Sequence, residues 1–196
     1  MTDGVTGPVP GPRPLLTRAE ITGCVVRVAG EISADHPDGV VLVGVLRGAL
    51  LFLSDLARAI TSVPVFVDFL AISRYAPDSG RVRILQDVAI DLTGRDVVLV
   101  EDLVDTGLSA AYLTNHLRSL GARSVTLCTM LDRPERRIVP IEVRYRGIEI
   151  EDVFVLGYGM HHHDRFRNLR DIWIAARTEV EANPAGVAAR LYRRTG

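Results

Sequence analysis

The stretch Val97-Val98-Leu99-Val100-Glu101-Asp102-Leu103-Val104-Asp105-Thr106-Gly107-Leu108-Ser109 decides how the rest of this 196-residue chain is read. Four apolar residues in a row make a strand buried on both faces, as in a parallel sheet covered by helices. Two adjacent carboxylates stand at its expected exit. Asp-Thr-Gly-Leu-Ser then opens a helix predicted from about Ser109 to Leu120, with Gly121 stopping it at the C-cap. A helix start offers N–H groups and the positive end of a dipole, Thr106 and Ser109 add hydroxyls, and Gly107 permits close backbone approach. That is a seat for a phosphate. Carboxylates beside a phosphate repel it unless they hold hydroxyls or a cation, so the loop suits a phosphate carried on a polyol, with Mg²⁺. An ordinary turn capped by Asp105 needs one acid, whereas this one carries three where burial makes charge costly.

Working outward, Val40–Val45 is a second buried run, followed by Arg47-Gly48 and a helical stretch over Ala49–Ile60. Val65–Ile72, Val82–Leu85 and Ser124–Met130 read as further strands, with weaker candidates at Ile141–Tyr145, Val153–Val155 and Ile172–Ala175. Val/Ile/Leu runs alternating with helices imply an α/β fold, a parallel twisted sheet flanked by helices. Ligands of such sheets bind beyond the carboxyl ends of the strands. Nearer the N-terminus, Ile21, Val25, Val28 and Ile32 have helical spacing, so a helix is expected from Thr17 to about Ile32, with Thr17 and Glu20 as a capping box. Met1 to Pro14 holds four prolines and three glycines. It reads as a disordered tail, because it buries too little to offset its ordering entropy. Residues 15–196 are then one domain.

Composition removes several classes of function. Twenty-three basic against 24 acidic residues leave a net charge of −1, so nothing suggests a general electrostatic grip on nucleic acid or a membrane. All the basic residues are arginine, which excludes a Schiff-base lysine and the lysine of a Walker A loop. Cys24 and Cys128 lie in separate apolar segments and read as reduced, buried thiols. The most apolar window, Val40–Leu53, is interrupted by Arg47 and too short to span a bilayer. With no signal-peptide pattern at the start, a cytoplasmic protein is expected.

The segment from Val97 to Ser109 resembles the 5-phosphoribosyl-1-pyrophosphate (PRPP) signature of type I phosphoribosyltransferases, and its neighbours resemble the 6-oxopurine (hypoxanthine-guanine) branch. The likeness runs from about Val40 to Ile174 through several motifs in order. Val43-Gly44-Val45-Leu46-Arg47-Gly48 resembles the pyrophosphate loop, and Val67-Asp68-Phe69 with Arg83-Ile84-Leu85-Gln86-Asp87 the flanks of the mobile catalytic loop. Leu131-Asp132-Arg133-Pro134 resembles the base-specificity strand end. Phe154-Val155-Leu156-Gly157-Tyr158-Gly159 with Phe166-Arg167-Asn168-Leu169 resembles a small C-terminal hood over the base, formed mainly by about 132–170.

The resemblance implies transfer of a phosphoribosyl group from PRPP to hypoxanthine or guanine, with Mg²⁺, in a homodimer or homotetramer. Glu101 and Asp102 would hold the ribose hydroxyls, directly or through Mg²⁺ and water. Asp105, Thr106, Gly107, Leu108 and Ser109 would cradle the 5′-phosphate, with Asp105 also the general base near purine N7. Leu46, Arg47 and Gly48 would bind pyrophosphate around a non-proline cis peptide, and Arg167 would pair with that anion. Phe154 would stack on the base, whose edge the Val155 backbone would touch.

Three positions depart from the pattern. Arg133 stands where the family has a lysine for the 6-oxo group, and a forked guanidinium is not equivalent to an ammonium. His161 replaces an aspartate that helps bind a second Mg²⁺, and neutral imidazole is a poor ligand for that hard ion. In a short mobile loop, Arg74-Tyr75 replaces Ser-Tyr; Arg74 either reaches pyrophosphate or is solvated. Together these keep open a second acceptor class, a non-standard heterocycle of specialised metabolism. A PRPP-sensing regulator without turnover would want a DNA-binding module, and the N-terminal segment is too short for one. His161-His162-His163 lack the spacing of a zinc site. Arg136-Arg137 and Arg193-Arg194 read as pairs on solvated faces, and Trp173 as core.

Overall fold

The computed structural model describes residues 11–73 and 83–194. In chain order they form β1 (Arg13–Leu16), α1 (Arg18–Asp35), β2 (Val40–Leu46), α2 (Leu50–Ala59), β3 (Val65–Ser73), β4 (Arg83–Gln86), β5 (Asp96–Val104) and α3 (Leu108–Ser119). Then follow β6 (Ser124–Asp132), a 3₁₀ turn at Pro134–Arg136, β7 (Tyr145–Glu149), β8 (Val155–Leu156), β9 (Ile172–Ile174), α4 (Arg177–Ala182) and α5 (Pro184–Arg194). The chain divides into two compact units, Ala19–Asp152 and a second built from Val153 onward with the N-terminal residues through Arg18.

The first unit holds a six-stranded sheet of order β4-β3-β2-β5-β6-β7. Every neighbouring pair from β3 to β7 is parallel, and only β4 runs antiparallel to its neighbour. Parallel neighbours require crossovers, which α2 supplies between β2 and β3, and α3 between β5 and β6. The central strands are buried along nearly their whole length, which is why they read as continuous apolar runs. On one face Val41, Val43, Val45, Val97 and Leu99 pack with Leu113 and Leu117 of α3. Gly44 brings β2 close to Leu53 of α2: a Cβ at Gly44 would strike the Leu53 side chain.

Two elements of this unit differ from the sequence expectation. Strand β5 does not stop at Val100 but pairs with β6 through Val104↔Asp132. Glu101 and Asp102 therefore lie within the strand rather than beyond it. Strand β7 is Tyr145–Glu149 instead of Ile141–Tyr145. The apolar residues that suggested the earlier position, Ile141 and Val143, pack against the core from an unpaired segment. Gly147 is where β7 passes Met130 of β6, so closely that a Cβ would overlap the Met130 carbonyl.

In the second unit, β1, β9 and β8 form a three-stranded antiparallel sheet. Its core joins Leu156, Phe166, Leu169 and Trp173 to Val180, Val187 and Leu191 from the two C-terminal helices. The expected tail is shortened here. Arg13 and Pro14 pair with Ile174 and Trp173, and Pro14 is tolerated because β1 is an edge strand. Residues 132–152, expected in the hood, belong instead to the first unit, because β6 and β7 are strands of its sheet. Helices α4 and α5 had no counterpart in the sequence reading.

Candidate active site

At the end of β5 the chain turns through Asp105 and Thr106 into α3. Gly107 is the N-cap, in a left-handed conformation with φ of 83°, and no side chain caps the helix. The glycine is required twice over, by its positive φ and by space: a Cβ would lie 2.8 Å from the Val139 carbonyl oxygen. Thr106 Oγ1 accepts from the Leu108 N–H at 3.4 Å. The first turn of α3 thus keeps the geometry of an anion seat.

A strap following β6 closes over this turn. The Thr106 carbonyl accepts from the N–H groups of Ile138 and Val139 at 2.9 and 3.2 Å, and Arg137 Nη1 donates to the Asp105 carbonyl at 2.8 Å. Arg137 also pairs with the buried Asp132. The solvated face expected for Arg136-Arg137 is thereby corrected for Arg137, which the turn it braces largely covers. A groove of about 680 Å³ lined by Asp132, Arg137, Arg144 and Arg146 adjoins the strap. Its guanidiniums are already matched by Asp132, Asp35 and Glu149, so it is not a second anion seat.

Asp105 stands among arginines. Arg133 Nη1 lies 3.4 Å from Asp105 Oδ1 and Arg136 Nε lies 3.2 Å from the same oxygen. Arg133 is buried, as are the carboxylates Glu101 and Asp102. Burial agrees with the sequence expectation for Glu101 and Asp102, where desolvation is costly unless something compensates it, but not for Asp105, whose side chain is 36% exposed.

Consecutive strand residues project to opposite faces, and it is Asp102 that faces the turn after β2. A Cβ on Gly48 would overlap the Asp102 carboxylate. Asp102 Oδ1 accepts from the Leu103 N–H at 3.0 Å. The Leu46–Arg47 peptide between β2 and this glycine is cis, as the resemblance implied. The turn Leu46-Arg47-Gly48 and the acid Asp102 are thus brought together in the first unit.

Farther along the same sheet, Asp68 of β3 accepts three N–H bonds, from Phe69 at 2.7 Å, Ala89 at 2.7 Å and Ile90 at 2.9 Å. His116 Nε2 on α3 meets Asp87 at 2.8 Å. These contacts anchor the segments on either side of the expected mobile loop. Arg74 and Tyr75 lie outside the described residues.

The remaining expected residues belong to the second unit. Arg177 sets its guanidinium 4.6 Å from the centroid of the Phe154 ring, and His162 meets Phe154 edge-on at 5.8 Å. Burial, and then the charge of His163, lower the pKa of His162, which favours a neutral ring against Phe154. Val155 pairs with Ile174 of β9. Arg167 donates through Nη1 to the Gly159 carbonyl at 2.6 Å and through Nη2 to Asp164 at 3.2 Å. His161 Nδ1 accepts from the Asp164 N–H at 3.1 Å, so this nitrogen is committed to the turn.

The family model for the phosphoribosyl transferase domain matches residues 20–163. The chain belongs to the phosphoribosyltransferase family. It is 44% identical over 142 residues to the hypoxanthine-guanine phosphoribosyltransferase of Mycobacterium tuberculosis, covering 71% of this chain and 70% of that protein. Against the hypoxanthine-guanine phosphoribosyltransferase of Bacillus subtilis it is 36% identical over 159 residues, 79% of this chain and 88% of the other. Among solved structures it resembles a hypoxanthine phosphoribosyltransferase of Trypanosoma cruzi complexed with IMP, with a TM-score of 0.81 and 36% identity over 88% of this chain and 94% of that one. A hypoxanthine-guanine phosphoribosyltransferase of Bacillus anthracis gives a TM-score of 0.79 at 33% identity, over 84% and 98%. This phosphoribosyltransferase therefore has the type I fold and is an enzyme of the hypoxanthine phosphoribosyltransferase-like, pentosyl-transferring kind. Among its described residues no helix is long and apolar enough to cross a membrane.

The sequence reading did not single out Arg136, Arg137, Asp152 or Arg177 as parts of a site. Arg133, Arg136 and Arg137 form a spaced basic group after β6, but only the fold brings them to Asp105. Nothing in sequence spacing signals the approach of Arg177 to Phe154.

Proposed function

We propose that this phosphoribosyltransferase transfers the 5-phosphoribosyl group of PRPP to a 6-oxopurine, hypoxanthine or guanine, releasing pyrophosphate in purine salvage in the cytoplasm. The observation that carries this reading is the pairing of an uncapped, glycine-opened helix start at Gly107 with Asp102 lying against Gly48. One element suits the 5′-phosphate and the other the ribose and pyrophosphate. The names of the relatives, which specify hypoxanthine and guanine, support the acceptor.

In this reading the amides and hydroxyls of Asp105–Ser109 seat the 5′-phosphate, and Leu46, Arg47 and Gly48 take the pyrophosphate through their backbone. Asp102, on the face of β5 turned toward Gly48, takes the ribose diol, and Glu101, leaving the other face of the strand, serves the same sugar through Mg²⁺ or water. Among the described residues no three His, Cys, Asp or Glu side chains gather as a metal cage. The carboxylates of Glu101 and Asp102 fit Mg²⁺, which is usually held by one or two carboxylates with water and substrate oxygens completing its shell. When bound by Glu101 and Asp102, directly or through water, Mg²⁺ supplies charge neutralisation for the leaving pyrophosphate. His161, with Nδ1 engaged in its own turn, adds no suitable ligand.

Cleavage of the C1′–pyrophosphate bond leaves an oxocarbenium-like ribose and an anionic leaving group. Arg167 matches the anion. Asp105, near N7, accepts the imidazole-ring proton of the base as general base while the other ring nitrogen attacks C1′. Arg133 donates to the 6-oxo group, Phe154 stacks on the base, and the Val155 backbone lies at its edge. The catalytic assembly is a homodimer or homotetramer.

The test is a panel of hypoxanthine, guanine, xanthine and non-purine heterocycles incubated with the purified chain, PRPP and Mg²⁺. Formation of IMP or GMP is expected. Activity confined to a non-purine would favour the second acceptor class, the non-standard heterocycle that Arg133, His161 and Arg74 keep open.

A further inference from the structure

Arg136 holds two carboxylates at once. Its Nε lies 3.2 Å from Asp105 Oδ1, and its Nη1 lies 3.1 Å from Asp152 Oδ1. Arg133 reaches the same two acids, at 3.4 and 3.9 Å. The two arginines differ in freedom: the Arg133 side chain is 6% exposed and that of Arg136 is 44% exposed. Packing holds the first in place, while the second can swing into water or onto Asp152 at little cost.

We propose that Arg136 is a gating counter-ion that occupies Asp105 until the acceptor base arrives and then moves wholly onto Asp152. The proposal rests on the reading of Asp105 as the carboxylate that receives the ring N–H of the base. A carboxylate oxygen already facing two guanidiniums is a crowded partner for a third donor. The one that yields is the one with an alternative seat at hydrogen-bond distance and an exposed side chain. Asp152, 57% exposed, is that seat. The exchange swaps one charge-assisted contact for another, so the barrier to base binding is small. An exposed ion pair contributes about 0.2–1 kcal/mol, equivalent to a change of up to about fivefold in base affinity. Acceptors that cannot donate a proton toward Asp105 leave Arg136 in place, which makes this residue part of the acceptor selection.

The test measures base KM at saturating PRPP, and PRPP KM at saturating base, in three variants. Arg136→Gln removes the competitor and is expected to lower hypoxanthine KM by about two- to fivefold with PRPP KM unmoved. Asp152→Asn removes the alternative seat and is expected to raise hypoxanthine KM by a similar factor. The double variant is expected to follow Arg136→Gln, because Asp152 acts through Arg136. A residue that only stiffened the strap would shift both single variants the same way, or move PRPP KM as well. Either result, or an unchanged base KM in Arg136→Gln, overturns the proposal while leaving the functional reading intact. If the unmodified chain forms no nucleotide from any purine, the functional reading fails, and this inference with it.

Discussion

The carboxylate of Asp102 lies against the α-carbon of Gly48, so closely that no side chain fits between them. One residue comes from the end of β5 and the other from the turn after β2. The parallel pairing of these strands, through Val43↔Leu99 and Gly44↔Val100, sets them side by side. The expected pyrophosphate turn and the expected ribose acid therefore share one small volume in which neither can move independently.

The first prediction tests that contact. Gly48→Ala forces a methyl group into the Asp102 carboxylate, and either the turn or the acid must shift. Misplacement of this kind by about 1 Å can cost on the order of 10²-fold in rate. We expect kcat/KM for PRPP to fall by roughly that factor while the chain stays folded, checked by steady-state kinetics beside a thermal melt. Unchanged kinetics would show that the turn does not meet the substrate.

Asp105→Asn separates chemistry from binding. A general base contributes about 10²- to 10⁴-fold, whereas the phosphate is seated by amides and hydroxyls that the substitution leaves in place. Turnover is expected to drop within that range, and PRPP affinity, measured by calorimetry with Mg²⁺, to change little. Equal loss of both would mean that Asp105 only shapes the loop.

Phe154→Ala removes the ring that Arg177 and His162 hold in position. Base-on-aromatic stacking is worth about 1–3 kcal/mol, so base KM should rise by between about 5- and 150-fold with PRPP KM nearly unchanged. Kinetics that vary the two substrates separately decide this, and a rise in PRPP KM alone would place Phe154 elsewhere.

Acid stability should report Asp96, at the start of β5. Hydrogen bonding and charge from Arg123, together with the Ser124 hydroxyl, outweigh partial burial and hold its carboxyl well below the ordinary carboxylate range. The folded-state pKa is lower than the unfolded value of about 3.9, so this contribution is complete above about pH 5 and is lost as pH falls below about 4. Urea midpoints taken from pH 7 down to 2.5 should decline on the acid side. In Asp96→Asn that part of the decline should be missing, with stability near neutrality lower by about 1–3 kcal/mol from the lost charged hydrogen bonds. Parallel acid profiles for the two proteins would refute the assignment.

Much of this enzyme was legible in its residue order. The buried runs at 40–45 and 97–100 read as central strands, because apolar runs dominated by Val and Leu need cover on both faces. Asp-Thr-Gly-Leu-Ser announces a helix start built for an anion, because glycine and small hydroxyl residues express their preferences within a few bonds of the backbone. What the order could not determine depends on where distant segments return. The unpaired course of Ile141 and Val143, the pairing of Arg13 and Pro14 with β9, and the two acids shared by Arg136 all involve partners far along the chain. An apolar residue is equally satisfied by a strand or by an extended segment over the core. An arginine carries no mark of which carboxylate it will meet. Local patterns selected the sheet and the chemistry of its loop, and the closing of the chain on itself selected the neighbours of that loop.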